Sequence, residues 1–349
     1  MVADAYEPSD LTFILLNDVD TPLEAYLLNS GYQVDRLTIS GLLNKIKIVL
    51  KLLRRFTLGR PQVVHVHNRI AYLLSIPLAW VARVPKRIYT RHHSTYQHLY
   101  HPDKVWMDRL TNRLCTRVVA ISRNVFEVLH EMERVAESKI VQIPHGFYLD
   151  KFKDRDEERT NRLKERHKIP EGRKIIGMIS RFIDWKGVEY MLEAMPQVLE
   201  SIPDALLLLV NAKGPDEEKL NARLEELPEG SYVKLDFELD IMSLYHIMDV
   251  FVHVPIDPSV EAFGQIYVEA LAAGTPMVCT LSGIAHEFIE DEGNALVVPY
   301  KESEPIASAI VRILEEDETR TRLIQRGWTS VQRFAHESFI DKLRVLHGR

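Results

Sequence analysis

Cysteine is nearly absent from this sequence. Cys115 and Cys279 stand alone among 349 residues, far apart and without CxxC spacing. That excludes a disulfide framework and a zinc-ribbon site, and it suggests two reduced thiols in a cytoplasmic protein. Long hydrophobic runs are also missing: no apolar stretch reaches the ~18 residues that cross a bilayer. The opening MVADAYEPSD carries acids and no basic-then-apolar block, so no signal peptide is expected. There is no GxxxxGK[ST] loop, which argues against a P-loop nucleotidase. The turn NDVDTP after the first apolar run lacks GxGxxG, so a dinucleotide fingerprint is missing. No GxSxG elbow, short repeat or low-complexity tract occurs. Acid is absent from one long segment: residues 41–100 hold 11 Lys and Arg and no Asp or Glu.

What is present is ordinary globular composition, 46% hydrophobic and 27% charged, in a chain long enough for two domains. The net charge of −6 hides an asymmetry. Residues 1–150 carry 19 basic and 14 acidic side chains, and the remainder 25 and 36. A basic first half implies an anionic partner on one side of the molecule.

Short β-rich runs alternate with helical patterns. LTFILLN, YQVDRLTI, QVVHVH, KRIYT, RVVAI and KIVQI read as strands of a first sheet. The charge-dense run 150–174 reads as an interdomain connection with a short surface helix. Alternation then restarts with KIIGMIS, ALLLLVN, YVKLDF, DVFVHV, PMVCT and ALVVP, and a helical stretch follows at 303–328. This pattern predicts an α/β protein of two parallel sheets flanked by helices, with a cleft between two Rossmann-like domains. The expected domains are 1–155 and 156–330, with a C-terminal helix over 331–349 packing back on the first. Open parallel sheets bind ligands beyond the carboxyl ends of their strands, so chemistry is sought there.

Four segments stand out. In SRFIDWKG (180–187), Arg181 and Lys186 lie five residues apart in a turn that leads into a helix. An arginine fork and a lysine point charge can hold a diphosphate, or they can be two solvated bases; spacing alone weighs these equally. In EAFGQIYVEALAAGTP (261–276), Phe263-Gly264-Gln265 opens a helix whose free N–H groups suit an anion. Glu269, inside that helix, can accept hydrogen bonds from vicinal hydroxyls such as those of ribose. Glu261 can do so for a second sugar. YTRHHSTYQHLYH (89–101) packs four histidines and three tyrosines into 13 residues. A metal site has to be considered there, but HExxH pairing is missing, and a substrate-facing loop is the preferred reading. In LLNKIKIVLKLLRRFTLGR (42–60), Lys47, Lys51, Arg54 and Arg55 share one helical face, and Leu42, Ile46, Val49, Leu53 and Phe56 the other. This is the pattern of a basic interfacial helix or of an ordinary sheet-covering helix, the latter favoured; the two agree if the outer face meets anionic lipid.

Taken in order, Arg181, Lys186-Gly187, Gly214-Pro215, and Glu261 and Glu269 with seven residues between them form a set. The set resembles retaining glycosyltransferases of the GT-B fold, and best of all glycosyltransferase family 4. The resemblance spans nearly the whole chain. It implies that Arg181 and Lys186 bind a donor diphosphate, that Glu261 contacts the transferred sugar, and that Glu269 binds ribose. The backbone at Phe263, Gly264 and Gln265 would lie by diphosphate and sugar, with Gly214 nearby. A histidine of the first domain would reach the donor sugar, His92 first and His93 as the alternative. SGIAHE (282–287) is a weaker landmark. Two departures stand against the family pattern: Asn17 to Pro22 replaces a Gly-rich loop, and His145 in HGFY has no assigned role.

The expected activity is therefore transfer of a hexosyl group from a nucleotide diphosphate sugar to an acceptor hydroxyl with retention. The acceptor would be a sugar, a glycolipid or a lipid-linked precursor of a cell-envelope glycan. The cations and amides would do the work of a divalent metal, so no metal or other cofactor is expected, and no nucleic-acid partner. The protein is expected in the cytoplasm, touching the inner membrane face through residues 41–60. The competing readings are a GT-B nucleotide-sugar epimerase and a non-catalytic basic membrane adaptor.

Overall fold

The structure is a computed structural model, and it describes residues 3–38 and 40–348. The sequence-predicted strand YQVDRLTI reaches into residue 39, which lies outside the described residues. The chain divides into two compact units: residues 1–146 with 336–349, and residues 147–335.

In the first unit the order is β1 (Thr12–Leu16), α1 (Pro22–Asn29), β2 (Gln33–Leu37), α2 (Leu42–Gly59), β3 (Val63–His67), α3 (Arg69–Val81), β4 (Lys86–Arg91), α4 (Tyr96–Tyr100), α5 (Val105–Leu114), β5 (Arg117–Ala120), α6 (Arg123–Glu127) and β6 (Ile140–Gln142). The strands are parallel, but they do not form the single sheet that the alternation predicts. Among the described residues β1 pairs with β2 alone, while β3-β4-β5-β6 make a second sheet. Apolar packing joins the two. Ile14 and Leu16 of β1 and Val64 of β3 share one apolar cluster with Ile48, Leu52 and Phe56 of α2.

That cluster also corrects the expected face of α2. The buried residues are Ile48, Leu52 and Phe56, with Val49 and Leu53 half-buried; Ile46 is exposed, as is Leu50. The side chain of Leu42 lies outside the described residues. Lys47, Lys51, Arg54 and Arg55 are exposed as expected, but Arg55 pairs with Asp35 at 3.2 Å. Among the described residues no helix is long and apolar enough to cross a membrane.

The second unit runs α7 (Leu149–Lys153), α8 (Glu157–Arg166), β7 (Lys174–Ile179), α9 (Val188–Ser201), β8 (Ala205–Val210), α10 (Glu217–Leu224), β9 (Tyr232–Leu235), α11 (Ile241–Ile247), β10 (Val250–His253), α12 (Gln265–Ala272), β11 (Met277–Cys279), β12 (Leu296–Val297), α13 (Ser303–Glu315) and α14 (Asp317–Val331). Its sheet has the order β9-β8-β7-β10-β11-β12, all parallel. Counted from β7 this is 3-2-1-4-5-6, the doubly wound Rossmann arrangement, in which β7 and β10 flank the point where strand order reverses. Burial on both faces explains ALLLLV: every residue of β8 is buried, as a strand covered by helices on both sides requires.

The expected boundary at 155/156 moves to 146/147 because 150–174 is not a free connection. Phe152 packs on Tyr245, its carbonyl accepts from His246 at 2.6 Å, and Thr160 and Leu163 of α8 are buried. The second boundary moves from 330 to 335, since α14 runs on to Val331 and Phe334 packs on Phe263 and Phe288. The helical stretch expected over 303–328 breaks at Glu316 into α13 and α14.

The last helix, α15 (His336–His347), belongs to the first unit. Phe339 and Leu346 sit against Ile88, Val119 and Ile143, and Ile340 and Leu343 against Ala5. A Cβ at Gly146 would lie 2.5 Å from the Phe339 side chain, so HGFY carries glycine where the chain passes under this helix.

Candidate functional site

The switch point of the second unit gathers the charged residues. β7 ends at Ile179, and a short turn carries Arg181 and Lys186 to Gly187, which caps α9 at φ 71°. A Cβ at Gly187 would stand 1.9 Å from the Val254 carbonyl oxygen. Glycine thus lets the turn press against the end of β10, and that contact carries Lys186 toward the loop after β10. Lys186 Nζ donates to Glu261 Oε1 at 2.6 Å. Arg181 stands exposed on the same turn. Gly214 sits beside it: an added Cβ would lie 2.1 Å from the Phe182 carbonyl oxygen, and Phe182 N–H donates to Lys213 O at 3.0 Å.

Glu261 is 7% exposed, so its carboxylate needs partners. Burial alone would raise its pKa; Lys186 and His253 outweigh this and hold it at about 2. His253, the last residue of β10, is fully buried with Nε2 3.2 Å from Glu261 Oε1. The Glu261 backbone N–H donates to Ser282 Oγ at 3.2 Å, and Ser282 Oγ donates on to the Asp257 carbonyl at 2.9 Å. The SGIAHE segment therefore steadies the loop that bears Glu261.

Three residues on, Gly264 caps α12 at φ 82°. Its position is next to Glu261, since an added Cβ would lie 3.9 Å from Glu261 Cγ and 2.7 Å from the Tyr267 ring. The first N–H groups of α12 follow at the exposed Gln265. Phe263 is 3% exposed and packs on Phe147 and Phe334, so its side chain is core, and its carbonyl accepts from Ile284 N–H at 2.9 Å.

Glu269 is half-buried on α12. Burial raises its carboxyl pKa, opposed in part by Tyr245, whose hydroxyl donates to Oε2 at 2.9 Å. The two glutamates thus have opposite electrostatics: Glu261 is neutralised by a lysine and Glu269 is merely tethered by a phenol.

In the first unit the ends of β3 and β4 carry histidines. His67 closes β3, His92 follows β4, and His67 Nδ1 lies 3.0 Å from His92 Nε2. His92 is exposed, and its ring stacks on His145 at 5.4 Å with 5° between planes. Burial pushes the pKa of His93 down to about 3, and its Nε2 has no hydrogen-bond partner among the described residues. Of the two histidines, His92 is the accessible one.

Arg91 sets that choice. It is fully buried, gripped by both oxygens of Glu133 at 2.7 and 3.0 Å, and its Nε donates to the His93 carbonyl at 2.9 Å. His98 Nε2 is 3.2 Å from the same carboxylate, and Asn112 donates to it at 2.7 Å. The loop histidines are thus spread over separate structural tasks, and among the described residues no group of three or more His, Cys, Asp or Glu could hold a metal ion. Asp18 and Asp20 have Asp-x-Asp spacing but are engaged locally: Asp18 receives the Ser40 N–H at 3.2 Å and Asp20 pairs with Arg36.

Sequence reasoning missed Tyr245, His253, His67 and the Arg91–Glu133 pair, and it found Ser282 only as part of the SGIAHE landmark. Tyr245, His67 and Arg91 meet partners distant in the chain, and His253 meets Glu261 from the end of a core strand; none has a spacing signal.

Comparison with known proteins gives the family and the fold. The family described as "Glycosyltransferase Family 4" matches residues 11–151, and "Glycosyl transferases group 1" matches residues 159–329. The chain is 21% identical over 337 residues to the alpha-monoglucosyldiacylglycerol synthase of Acholeplasma laidlawii, covering 91% of this chain and 82% of that protein. It is 26% identical over 333 residues to the phosphatidyl-myo-inositol mannosyltransferase of Mycobacterium leprae, covering 90% and 81%. The crystal structure of Anabaena HepE in complex with UDP and glucose superposes with a TM-score of 0.85 at 20% identity, over 100% of this chain and 94% of that one.

Proposed function

The chain belongs to the family 4 glycosyltransferases of the GT-B fold, and from this premise we propose that it transfers a hexose from a uridine diphosphate sugar to a hydroxyl of a lipid-linked or glycolipid acceptor, with retention and without a metal. Uridine is favoured because HepE is described with UDP and glucose, and a lipid acceptor because both relatives named above act on lipids by name.

Arg181, Lys186 and the α12 amides beyond Gly264 stabilise charge on the departing β-phosphate. Glu269 accepts from the ribose hydroxyls. Glu261 and His92 orient the sugar while the anomeric centre becomes oxocarbenium-like, and His93 buttresses the loop. The leaving phosphate oxygen takes the acceptor's proton on the face it vacates, so no covalent enzyme intermediate forms. Peripheral contact with anionic lipid through the exposed face of α2 belongs to the same reading. Gly214 keeps the neighbouring turn close to Arg181.

The observation that carries the proposal is the convergence at one switch point of Lys186, the buried Glu261 and a glycine-capped helix start. The test is product analysis by mass spectrometry with UDP-glucose, UDP-N-acetylglucosamine and GDP-mannose, against diacylglycerol-type and soluble acceptors. Lys186→Ala is expected to cut kcat about 10²–10³-fold with the thermal transition retained, and wild-type turnover is expected to survive EDTA. Near-normal transfer by the variant, or loss in EDTA, rejects the corresponding part. Sugar isomerisation without acceptor would point to an epimerase.

A further inference from the structure

Two helices of the first unit are built inside out. α4 and α5 turn polar side chains inward and large apolar ones outward. On α4, Gln97 is buried and His98 half-buried, while Tyr96, Leu99 and Tyr100 are exposed. On α5, Asp108, Thr111 and Asn112 are buried, while Trp106 and Leu110 are exposed. Leu99 and Trp106 each keep 61% of their surface in solvent.

Hydrogen bonds hold the inward groups. Asp108 accepts from Arg69 at 2.9 Å, and the Tyr72 hydroxyl donates to the Asp108 carbonyl at 2.8 Å. Asn112 donates to Glu133 at 2.7 Å, and His98 Nε2 stands 3.2 Å from the same carboxylate. Glu133, itself paired with buried Arg91, thereby fixes the rotation of both helices. That rotation forfeits the gain of burying the outward side chains. One exposed leucine is ordinary, but five large apolar side chains on two consecutive helices mark a surface that meets something.

The chemistry of the face selects what it meets. Trp106, Arg109, Leu110 and Arg113 follow at i, i+3, i+4 and i+7, so they line one side of α5. Tyr96 and Tyr100 lie one turn apart on α4, with ring centroids 4.9 Å apart. Both helices pack against the turn Pro102–Lys104 between them. Across residues 96–114 the exposed charges are Lys104, Arg109 and Arg113 against Asp103. Arg109 also donates to the Met132 carbonyl at 3.0 Å, which brings exposed Met132 to the edge; its exposed neighbours Glu131 and Arg134 offset each other. Tyrosine and tryptophan settle at the headgroup level of a bilayer and aliphatic chains pass below it. Lysine and arginine lay their stems along the apolar surface and keep their charge at the phosphates.

We propose that the outward face of α4 and α5 docks on an anionic lipid bilayer, with Leu99, Trp106 and Leu110 entering the boundary between headgroups and acyl chains and Lys104, Arg109 and Arg113 meeting lipid phosphates. The surface is separate from the one on α2, although α3 packs against both α2 and α5. It stands or falls apart from the transfer reaction proposed above.

The experiment uses the full chain and vesicles of phosphatidylcholine with and without phosphatidylglycerol. Wild type is expected to sediment with the anionic vesicles, and brominated acyl chains should quench its tryptophan fluorescence. The chain has four tryptophans, and Trp106→Phe isolates the signal of one. That variant keeps an apolar ring, so it should still bind but lose much of the quenching. Trp106→Ser with Leu110→Ser should lower vesicle affinity about tenfold or more. Lys104→Glu with Arg113→Glu should remove the preference for phosphatidylglycerol. These side chains face solvent, so melting curves should match wild type. Should the serine variant fold poorly, the fluorescence comparison between wild type and Trp106→Phe decides.

Unchanged vesicle affinity in the folded serine variant, or unchanged quenching in Trp106→Phe, overturns the proposal and moves any binding to another surface. A wild type that ignores anionic vesicles overturns it as well. If that protein self-associates and the serine variant is monomeric by sedimentation velocity, the face is instead a contact between copies. A protein that binds vesicles through this face but transfers no sugar refutes the reaction and leaves the surface intact.

Discussion

Glu261 and Glu269 are the same residue type on one short stretch, and they differ in every physical respect that matters. The first has its charge fixed by Lys186 and stays ionised down to about pH 2. The second is desolvated with only the Tyr245 hydroxyl for support, and its carboxyl titrates above the usual carboxylate range. A raised carboxyl favours the protonated form of the folded state, so its contribution to stability is present at low pH and is lost as pH rises through its folded pKa. Ribose recognition needs the ionised form. Donor affinity is therefore expected to decline on acidification, beginning above pH 4.5. Glu269→Gln removes this acidic limb and weakens the donor about 10- to 100-fold, in line with the ~1.5–3 kcal/mol of a hydrogen bond to a charged group. The apo variant should melt no lower than wild type at neutral pH, because it no longer buries a charge there. Isothermal titrations from pH 5 to 8 and a melting curve decide both points; unchanged acid sensitivity in the variant would remove Glu269 from the site. Both glutamates could be read from the sequence as carboxylates out of place on an apolar stretch. Lys186 could be read as well, but Tyr245 and His253 could not, because they look like ordinary core residues until the sheet and α12 fold together.

Elements were legible to the degree that burial is one-dimensional in them. β8 reads ALLLLV because both faces are covered, and β7 and β10 follow the same logic. α2 was harder. Its sequence has apolar residues on more than one face, so a wheel drawn on Ile46, Val49 and Leu53 is as well formed as the face actually buried, Ile48, Leu52 and Phe56. The core chose between them, and the choice leaves Ile46, Leu50 and Leu58 exposed in line with Arg54 and beside Lys47 and Lys51. An apolar stripe edged by lysine and arginine is what an anionic bilayer surface binds, each basic group near the surface contributing about 1 kcal/mol. Leu50→Asp together with Arg54→Glu is expected to lower sedimentation with phosphatidylglycerol vesicles at least tenfold while leaving soluble-probe binding intact. The wild-type interaction should weaken with added salt. Vesicle binding that ignores both changes would leave α2 as a sheet-covering helix and nothing more.

At the scale of the whole molecule, the chain's ends explain its division. The first unit is closed by a helix from the far end of the sequence, while the second is an insertion whose own ends meet: Phe147 N–H donates to the Phe334 carbonyl at 2.9 Å, and Phe147 bridges to Ala335. Arg181, Lys186, Gly214, Glu261, Gly264 and Glu269 all lie within that insertion. A segment with its own doubly wound sheet, its own apolar core and adjacent termini is built to fold alone. Residues 147–335 expressed as an isolated fragment should therefore melt cooperatively and bind UDP, although transfer should be lost with the histidine loop. Truncation of the full chain after Ala335 should do the reverse. It removes Phe339, Ile340, Leu343 and Leu346 from the first unit's core, and it removes the His347 carbonyl that accepts from Lys86 at 2.7 Å. Calorimetric scans should then show one transition kept and the other lowered or lost, with UDP still raising the surviving one. A truncated chain that melts as a single unit with every transition displaced equally would mean that the two halves share one folding equilibrium.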